Sequence, residues 1–213
     1  MDRQNLTLLT DLYELTMMQG YFKNNINKRV IFDLFYRTNP SGGGYAIACG
    51  LEQVIEYIKK VCKTENGIHL DFILGTHCHY DHIGSFETLI SDSEITIGKA
   101  YFKEFRPEIA KEYEVDRWLI GETYNSIINA LNQRSVPVIS DLSEEPFEFG
   151  DFTLQFYNTV TPDTLAGKGE NASSIGIKVT KNGKSAFLAA DITKSTGLED
   201  IVADSIGDID IQT

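Results

Sequence analysis

Three of the chain's four histidines fall within six positions, in the stretch Thr76-His77-Cys78-His79-Tyr80-Asp81-His82-Ile83-Gly84-Ser85, and a carboxylate stands among them. Imidazole and carboxylate at this density are metal-ligand chemistry. Neutral imidazole together with carboxylate suits zinc, and iron or manganese take the same donors. The spacing fits that use. Alternate residues of an extended segment face one way, so His77 and His79 can share a direction, while Asp81 and His82 can turn toward a second ion nearby. The same alternation aims Cys78 away from them, as a packed thiol. A histidine-rich surface loop is the alternative, but the pattern H-x-H-x-D-H directly after a strand favours a metal site.

The residues that must position this loop are its neighbours in sequence. The run Leu70-Asp71-Phe72-Ile73-Leu74 reads as one buried strand that fixes the base of the loop. A second carboxylate of interest, Asp191, ends the apolar run Ala186 to Ala190. A charge there needs a partner or water, which makes it a candidate ligand; an ordinary strand-end residue is the alternative.

Further elements surround these two. Leu51, Val54, Ile55 and Ile58 recur at helical spacing and end in Lys59-Lys60, a basic pair that complements a helix C-terminus. Ile95 to Ile97 reads as a short strand, and Ile109 to Tyr113 and Tyr124 to Asn132 as helices. Phe147, Phe149, Phe152, Leu154 and Phe156 alternate around Gly150-Asp151, a hairpin pattern. Ile175, Ile177 and Val179 form a strand that Asn182-Gly183 turns into Ala186 to Ala190. Earlier in the chain, Asp11 and Glu14 resemble a capping pair for a short stripe of Leu12, Leu15 and Met18. Val30 to Tyr36 alternates as a strand, and Asn39 to Gly44 is a turn. Strands interspersed with helices and hairpins indicate an α/β domain.

Composition narrows the function classes. The chain has 213 residues, 42% hydrophobic and 23% charged, as in an ordinary soluble globular protein. No apolar stretch approaches the roughly 20 residues needed to span a membrane. The N-terminus opens no export signal, so a cytoplasmic location is expected. Cys49, Cys62 and Cys78 are odd in number and irregular in spacing, which argues against a disulfide framework. The net charge of −12 is uneven: residues 1–60 carry 7 Lys+Arg against 6 Asp+Glu, and residues 61–213 carry 12 against 25. An acidic body discourages nucleic-acid binding, and the step near residue 60 marks a compositional seam.

The loop Thr76 to Gly84 resembles the metal-binding signature of the metallo-β-lactamase-fold hydrolases, and this resemblance extends from about residue 61 to 213. Glu170-Asn171-Ala172-Ser173-Ser174-Ile175 and the hairpin to Asp191 are similar to the branch that contains choline-phosphoesterases and DNA-uptake competence proteins. The resemblance implies two zinc ions. His77 and His79 would hold the first, Asp81 and His82 the second, and Asp191 would bridge them, with Asp81 also serving catalysis. It implies hydrolysis of an ester or phosphoester by a metal-bound hydroxide. Two departures from that family stand out. It supplies a further histidine between the loop and the bridging aspartate, where this chain offers only residues such as Tyr157, Asn158 or Asp163. It also supplies a late histidine beyond the bridging aspartate, past the strand expected near Asp208 to Thr213.

Residues 1–60 resemble a different family. Leu9-Thr10-Asp11-Leu12-Tyr13-Glu14-Leu15-Thr16-Met17, then Phe32 to Arg37, then Gly43 to Glu52, are similar to the start of nicotinate phosphoribosyltransferase. That resemblance implies that Tyr13 contributes to a nicotinate pocket. The chain is therefore expected to be a fusion of two incomplete enzymes. A short α+β segment (1–60) would precede an incomplete αββα metallo-β-lactamase-like domain (61–213) lacking its first strands and C-terminal end. A small-molecule ester or phosphoester is the expected partner, without nucleic acid or membrane, and exposed sheet edges would invite self-association. The alternatives are a transferase fragment and a non-catalytic fusion product.

Overall fold

A computed structural model describes residues 6–7, 20–23, 29–32, 51–114, 119–160 and 169–212. Tyr13, the stripe Leu12 to Met18, the turn Asn39 to Gly44 and Asp163 lie outside them. Among the described residues, the first sheet has six strands. In spatial order these are β1 (Leu6–Thr7), β2 (Gly20–Lys23), β3 (Arg29–Phe32), β6 (Phe72–Gly75), β8 (Ala100–Phe102) and β9 (Val138–Ile139). The second sheet has five: β10 (Phe147–Phe149), β11 (Phe152–Tyr157), β12 (Gly176–Lys181), β13 (Lys184–Leu188) and β14 (Ile211–Gln212). A small third sheet pairs β4 (Lys63–Thr64) and β5 (Gly67–Leu70) with β7 (Ile95–Ile97).

Side-chain alternation on β6 stacks the layers. Phe72 and Leu74 face the second sheet and pack with Leu154, Phe156, Ile177, Val179 and Leu188. Ile73 faces the other way, into a core with three helices: α1 (Leu51–Cys62), α3 (Phe86–Ser91) and α5 (Ile120–Gln133). On the far side of the second sheet, Tyr157 and Phe187 meet Val202 and Ile206 of α6 (Glu199–Ile206). Helices, sheet, sheet and helix thus form four layers, the α/β arrangement expected. Phe72 is 1% exposed, and cutting a phenylalanine at such a position to alanine costs about 3–5 kcal/mol.

Both expected hairpins form, with Phe149 opposite Phe152 and Lys181 opposite Lys184, though the second returns as Lys184–Leu188, two residues earlier than the run Ala186 to Ala190. The run from Leu70 to Leu74 is not one strand. It bends at Asp71 and divides between two sheets, because residues 98 and 99 bond either side of the bend. Gly98 N–H donates to Leu70 O at 2.8 Å and Ile73 N–H to Lys99 O at 3.1 Å. A Cβ on Gly98 would lie 2.6 Å from Asp71 O, so this approach requires glycine.

Hydrogen bonding also crosses residue 60. β3 pairs parallel with β6, Val30 opposite Phe72 and Phe32 opposite Leu74, and β2 pairs antiparallel with β3. Strands from the first 60 residues therefore share the first sheet with strands from residues 61–213. At the other end, β14 lies parallel to β13, with Ala186 opposite Ile211.

Candidate metal centre

The histidine loop leaves the C-terminal end of β6. Its first peptide is held by the residue that leads into β12, since Ile175 N–H donates to Thr76 O at 3.0 Å. Gly75 sits against the Phe102 ring, where a Cβ would come within 2.2 Å, so the strand end can approach β8 only as glycine. Cys78 is buried in the helix-facing core, and burial pushes its thiol well above the ordinary range, as a packed neutral group. His79 is the N-cap position of the short helix α2 (Tyr80–Ile83), which carries Asp81 and His82.

The structure brings His77, His82 and Asp191 together, with one ligand atom from each within 4.8 Å of the others. Asp191 Oδ1 is 3.2 Å from His82 Nε2, and its Oδ2 is 3.9 Å from His77 Nε2. The two oxygens of one carboxylate thus face different histidines. The hydrogen bond from His82 is the main cause that holds the Asp191 carboxyl below its ordinary range. Ala190, just before it, has φ 52°, a left-handed conformation that costs a non-glycine residue on the order of 1–2 kcal/mol.

His77 and His79 converge. His77 Nε2 is 3.1 Å from His79 Nδ1. Two nitrogens on one tetrahedral zinc, each about 2.0–2.1 Å away, stand roughly 3.3 Å apart. The outward nitrogens have other company. His77 Nδ1 lies 3.1 Å from the Thr76 hydroxyl and 3.3 Å from that of Ser174, and His79 Nε2 lies 3.3 Å from Glu114 Oε1. Desolvation, then the nearby His82, His79 and Lys103, keep His77 well below the ordinary histidine range. It is therefore neutral at physiological pH, the form that ligates metal. The donor set and its spacing fit a metal ion.

Asp81 is exposed in the first turn of α2 and lies outside the three-residue cluster. His69 is also exposed, with Nδ1 2.9 Å from the Thr96 hydroxyl. Of the polar residues considered for the missing histidine, Asn158 donates its Nδ2 to Ala172 O (3.2 Å) and Ser174 O (2.7 Å). It is a strut for the 170–174 segment. Tyr157 packs against Phe187 on the α6 side of the second sheet.

Sequence reasoning missed Glu114, Ser174 and Lys103. Glu114 follows α4 (Pro107–Tyr113), its N–H donating to Ala110 O at 2.7 Å. Its side chain is 7% exposed. Ser174 ends the segment Glu170 to Ser174, and no local spacing ties it to His77, 97 positions away. Lys103 is buried and donates to Ser173 O at 2.8 Å; desolvation pushes its amine down to about 8.

Comparison with known proteins finds two likenesses on this one chain. Residues 8–80 match the family model of the nicotinate phosphoribosyltransferase (NAPRTase) N-terminal domain. The chain is 39% identical to nicotinate phosphoribosyltransferase of Bacillus subtilis over 79 residues, covering 32% of this chain and 16% of that protein. It is 40% identical to nicotinate phosphoribosyltransferase 2 of Arabidopsis thaliana over 67 residues, covering 31% of this chain and 12% of that one. The chain thus spans a small part of the curated relatives it matches. The matched region runs past residue 60 and contains Tyr13, His77 and His79.

Similar solved structures are of another kind. The E377D mutant of the CmlA β-hydroxylase has a TM-score of 0.48 at 15% identity, over 90% of this chain and 32% of that one. The metallo-β-lactamase-fold protein YhfI of Bacillus subtilis has 0.39 at 17%, over 81% and 55%. Zn(2+)-bound PqqB from Methylobacterium extorquens has 0.43 at 13%, over 80% and 48%. Among the described residues no helix is long and apolar enough to cross a membrane.

Proposed function

We propose that the chain forms a metal-dependent hydrolase centre, holding two zinc ions and acting on an ester or phosphoester. The observation that carries this reading is the convergence of His77 Nε2 and His79 Nδ1 at 3.1 Å beside the His77, His82 and Asp191 cluster. At that distance the two ring nitrogens either share an N–H···N hydrogen bond or, once that proton is displaced, both turn a lone pair to one cation. His77 and His79 would hold the first ion and His82 and Asp81 the second, with Asp191, whose two oxygens face His82 and His77, serving both. Bound zinc lowers the pKa of a water ligand and polarises the oxygen of the scissile group. The chain's own part is to keep His77 desolvated and neutral, to aim Asp191 from the turn that follows β13, and to leave Asp81 at the exposed rim where substrate arrives. The same donors accept iron or manganese.

Native mass spectrometry of the intact chain with added zinc tests this, alongside hydrolysis of bis(p-nitrophenyl) phosphate. Two ions per chain and hydrolysis lost in His77→Ala are expected. A chain that stays metal-free in excess zinc, manganese and iron would sink the proposal.

The match over residues 8–80 favours a second reading, in which this region derives from the transferase and keeps a nicotinate contact through Tyr13. It predicts a rise in melting temperature with nicotinate that Tyr13→Phe removes. An unchanged melting temperature at millimolar nicotinate counts against it.

A further inference from the structure

The outward nitrogen of His79 meets a carboxylate that the motif does not contain. We infer that Glu114 is a positioning residue, which fixes His79 with its proton on Nε2 and its Nδ1 lone pair turned toward His77. The inference rests on the metal-centre reading above for its consequence, but the tautomer itself is a property of the metal-free protein.

Three observations carry it. Glu114 Oε1 lies 3.3 Å from His79 Nε2, and the ring nitrogen on the other side, Nδ1, lies 3.1 Å from His77 Nε2. An ionised carboxylate only accepts hydrogen bonds, so its contact with Nε2 is attractive only when Nε2 carries the proton. A neutral ring then has its lone pair on Nδ1, facing the metal position. Ligating histidines depend on such an outer partner for tautomer and ring orientation.

The second observation is that Glu114 is itself held. The same Oε1 accepts the N–H of Glu170, at the start of the 3-10 turn Glu170–Ser173. Gly169, just before, has φ +67°, and a Cβ there would fall 2.1 Å from Glu114 Oε1. The site thus needs glycine at 169 for its backbone conformation and for the room the carboxylate occupies. Ile109 of α4 packs on Ala172 of the same turn, so apolar contact and hydrogen bond agree in docking the end of α4 there.

The third observation is the continuity of the support. The segment that fixes Glu114 through Glu170 N–H ends at Ser174, whose hydroxyl faces His77 Nδ1 at 3.3 Å. One five-residue stretch therefore sets the outer partners of both converging histidines. Nothing in the order of the chain announces this, since Glu114 and His79 are 35 positions apart.

The test is long-range nitrogen–proton NMR of the histidine rings in wild type, Glu114→Gln and Glu114→Ala, without metal and then with zinc, together with zinc affinity by chelator competition. In wild type His79 is expected as the Nε2–H tautomer before metal is added. Glu114→Ala is expected to give a mixture of tautomers and about 10–100-fold weaker zinc binding. Glu114→Gln, whose amide oxygen can accept from both donors, is expected to restore the tautomer and most of the affinity. A wild-type His79 protonated on Nδ1, or ring signals and zinc affinity unchanged in a folded Glu114→Ala, would overturn the inference. If wild type shows the Nε2–H tautomer and its loss in Glu114→Ala, but no variant binds metal, the positioning role stands and the metal-centre reading fails. Should Glu114→Ala unfold, the wild-type spectrum still decides: any Nδ1–H population of His79 overturns the role.

Discussion

The two converging histidines are held in different ways. His77 is enclosed, its outer nitrogen between the hydroxyls of Thr76, just past β6, and Ser174, just before β12. His79 is less enclosed, its side chain 13% exposed, and its outer nitrogen meets the carboxylate of Glu114, just past the end of α4. The enclosed side is shaped by burial, which keeps His77 neutral and leaves its lone pair available. The open side is shaped by charge. One centre is thus assembled from a part that desolvation prepares and a part that a hydrogen bond prepares, and the two respond to different perturbations.

The largest effect should come from the enclosed side. His77→Ala or Asp191→Ala is expected to abolish tight zinc binding, a larger loss than the roughly 10–100-fold typical of outer partners. Equilibrium dialysis with zinc analysis reads this, and retention of both ions in either variant would place the centre elsewhere. Next, Asp81→Ala is expected to reduce two bound ions to one while the tighter ion stays. Native mass spectrometry distinguishes that from a loss of both, which would make the exposed Asp81 part of the first site.

Lys103 supports the enclosed side through Ser173 O and offers a pH test. Burial lowers its amine from 10.5 in the unfolded chain to about 8 in the fold. Below pH 8 both states are protonated, and the cost of burying the charge is fully present. Between pH 8 and 10.5 the unfolded state binds more protons, so stability contributed at this site rises with pH. The rise is on the order of 3 kcal/mol at most, reduced by relaxation and water entry. Denaturant unfolding of wild type and Lys103→Met across that range should show the rise in wild type alone. Parallel curves would mean the amine is not desolvated.

The smallest effect is expected at Ala190. Ala190→Gly relieves a left-handed residue (φ 52°) and should stabilise the fold by about 1 kcal/mol or less, a small rise in melting temperature with zinc affinity unchanged. A drop in zinc affinity would show that the strained residue itself aims Asp191.

Much of the fold is legible from local pattern. Alternating phenylalanines around Gly150-Asp151 and the Asn182-Gly183 turn place both hairpins in register, because side-chain period and turn chemistry are properties of neighbouring residues. The bend at Asp71 was not legible. The apolar run continues through it, and only the backbone bonds of residues 98 and 99 divide it. Nor was the pairing of β3 with β6. A change in charge balance near residue 60 says nothing of which strands share a sheet.

The site divides along the same line. The sequence alone determined the candidate ligand chemistry: three histidines and a carboxylate in one short loop, and an aspartate directly after an apolar run. Those residues act through type and spacing, which the chain order preserves. The tertiary structure alone decided that Asp191 meets His82 and faces His77, that Asp81 stays at the rim, and that Glu114 and Ser174 back the two converging rings. The physical reason is that hydrogen bonds act at about 3 Å through space, whatever the separation along the chain. A carboxylate 35 positions away becomes His79's neighbour only when α4 docks on the turn at Glu170.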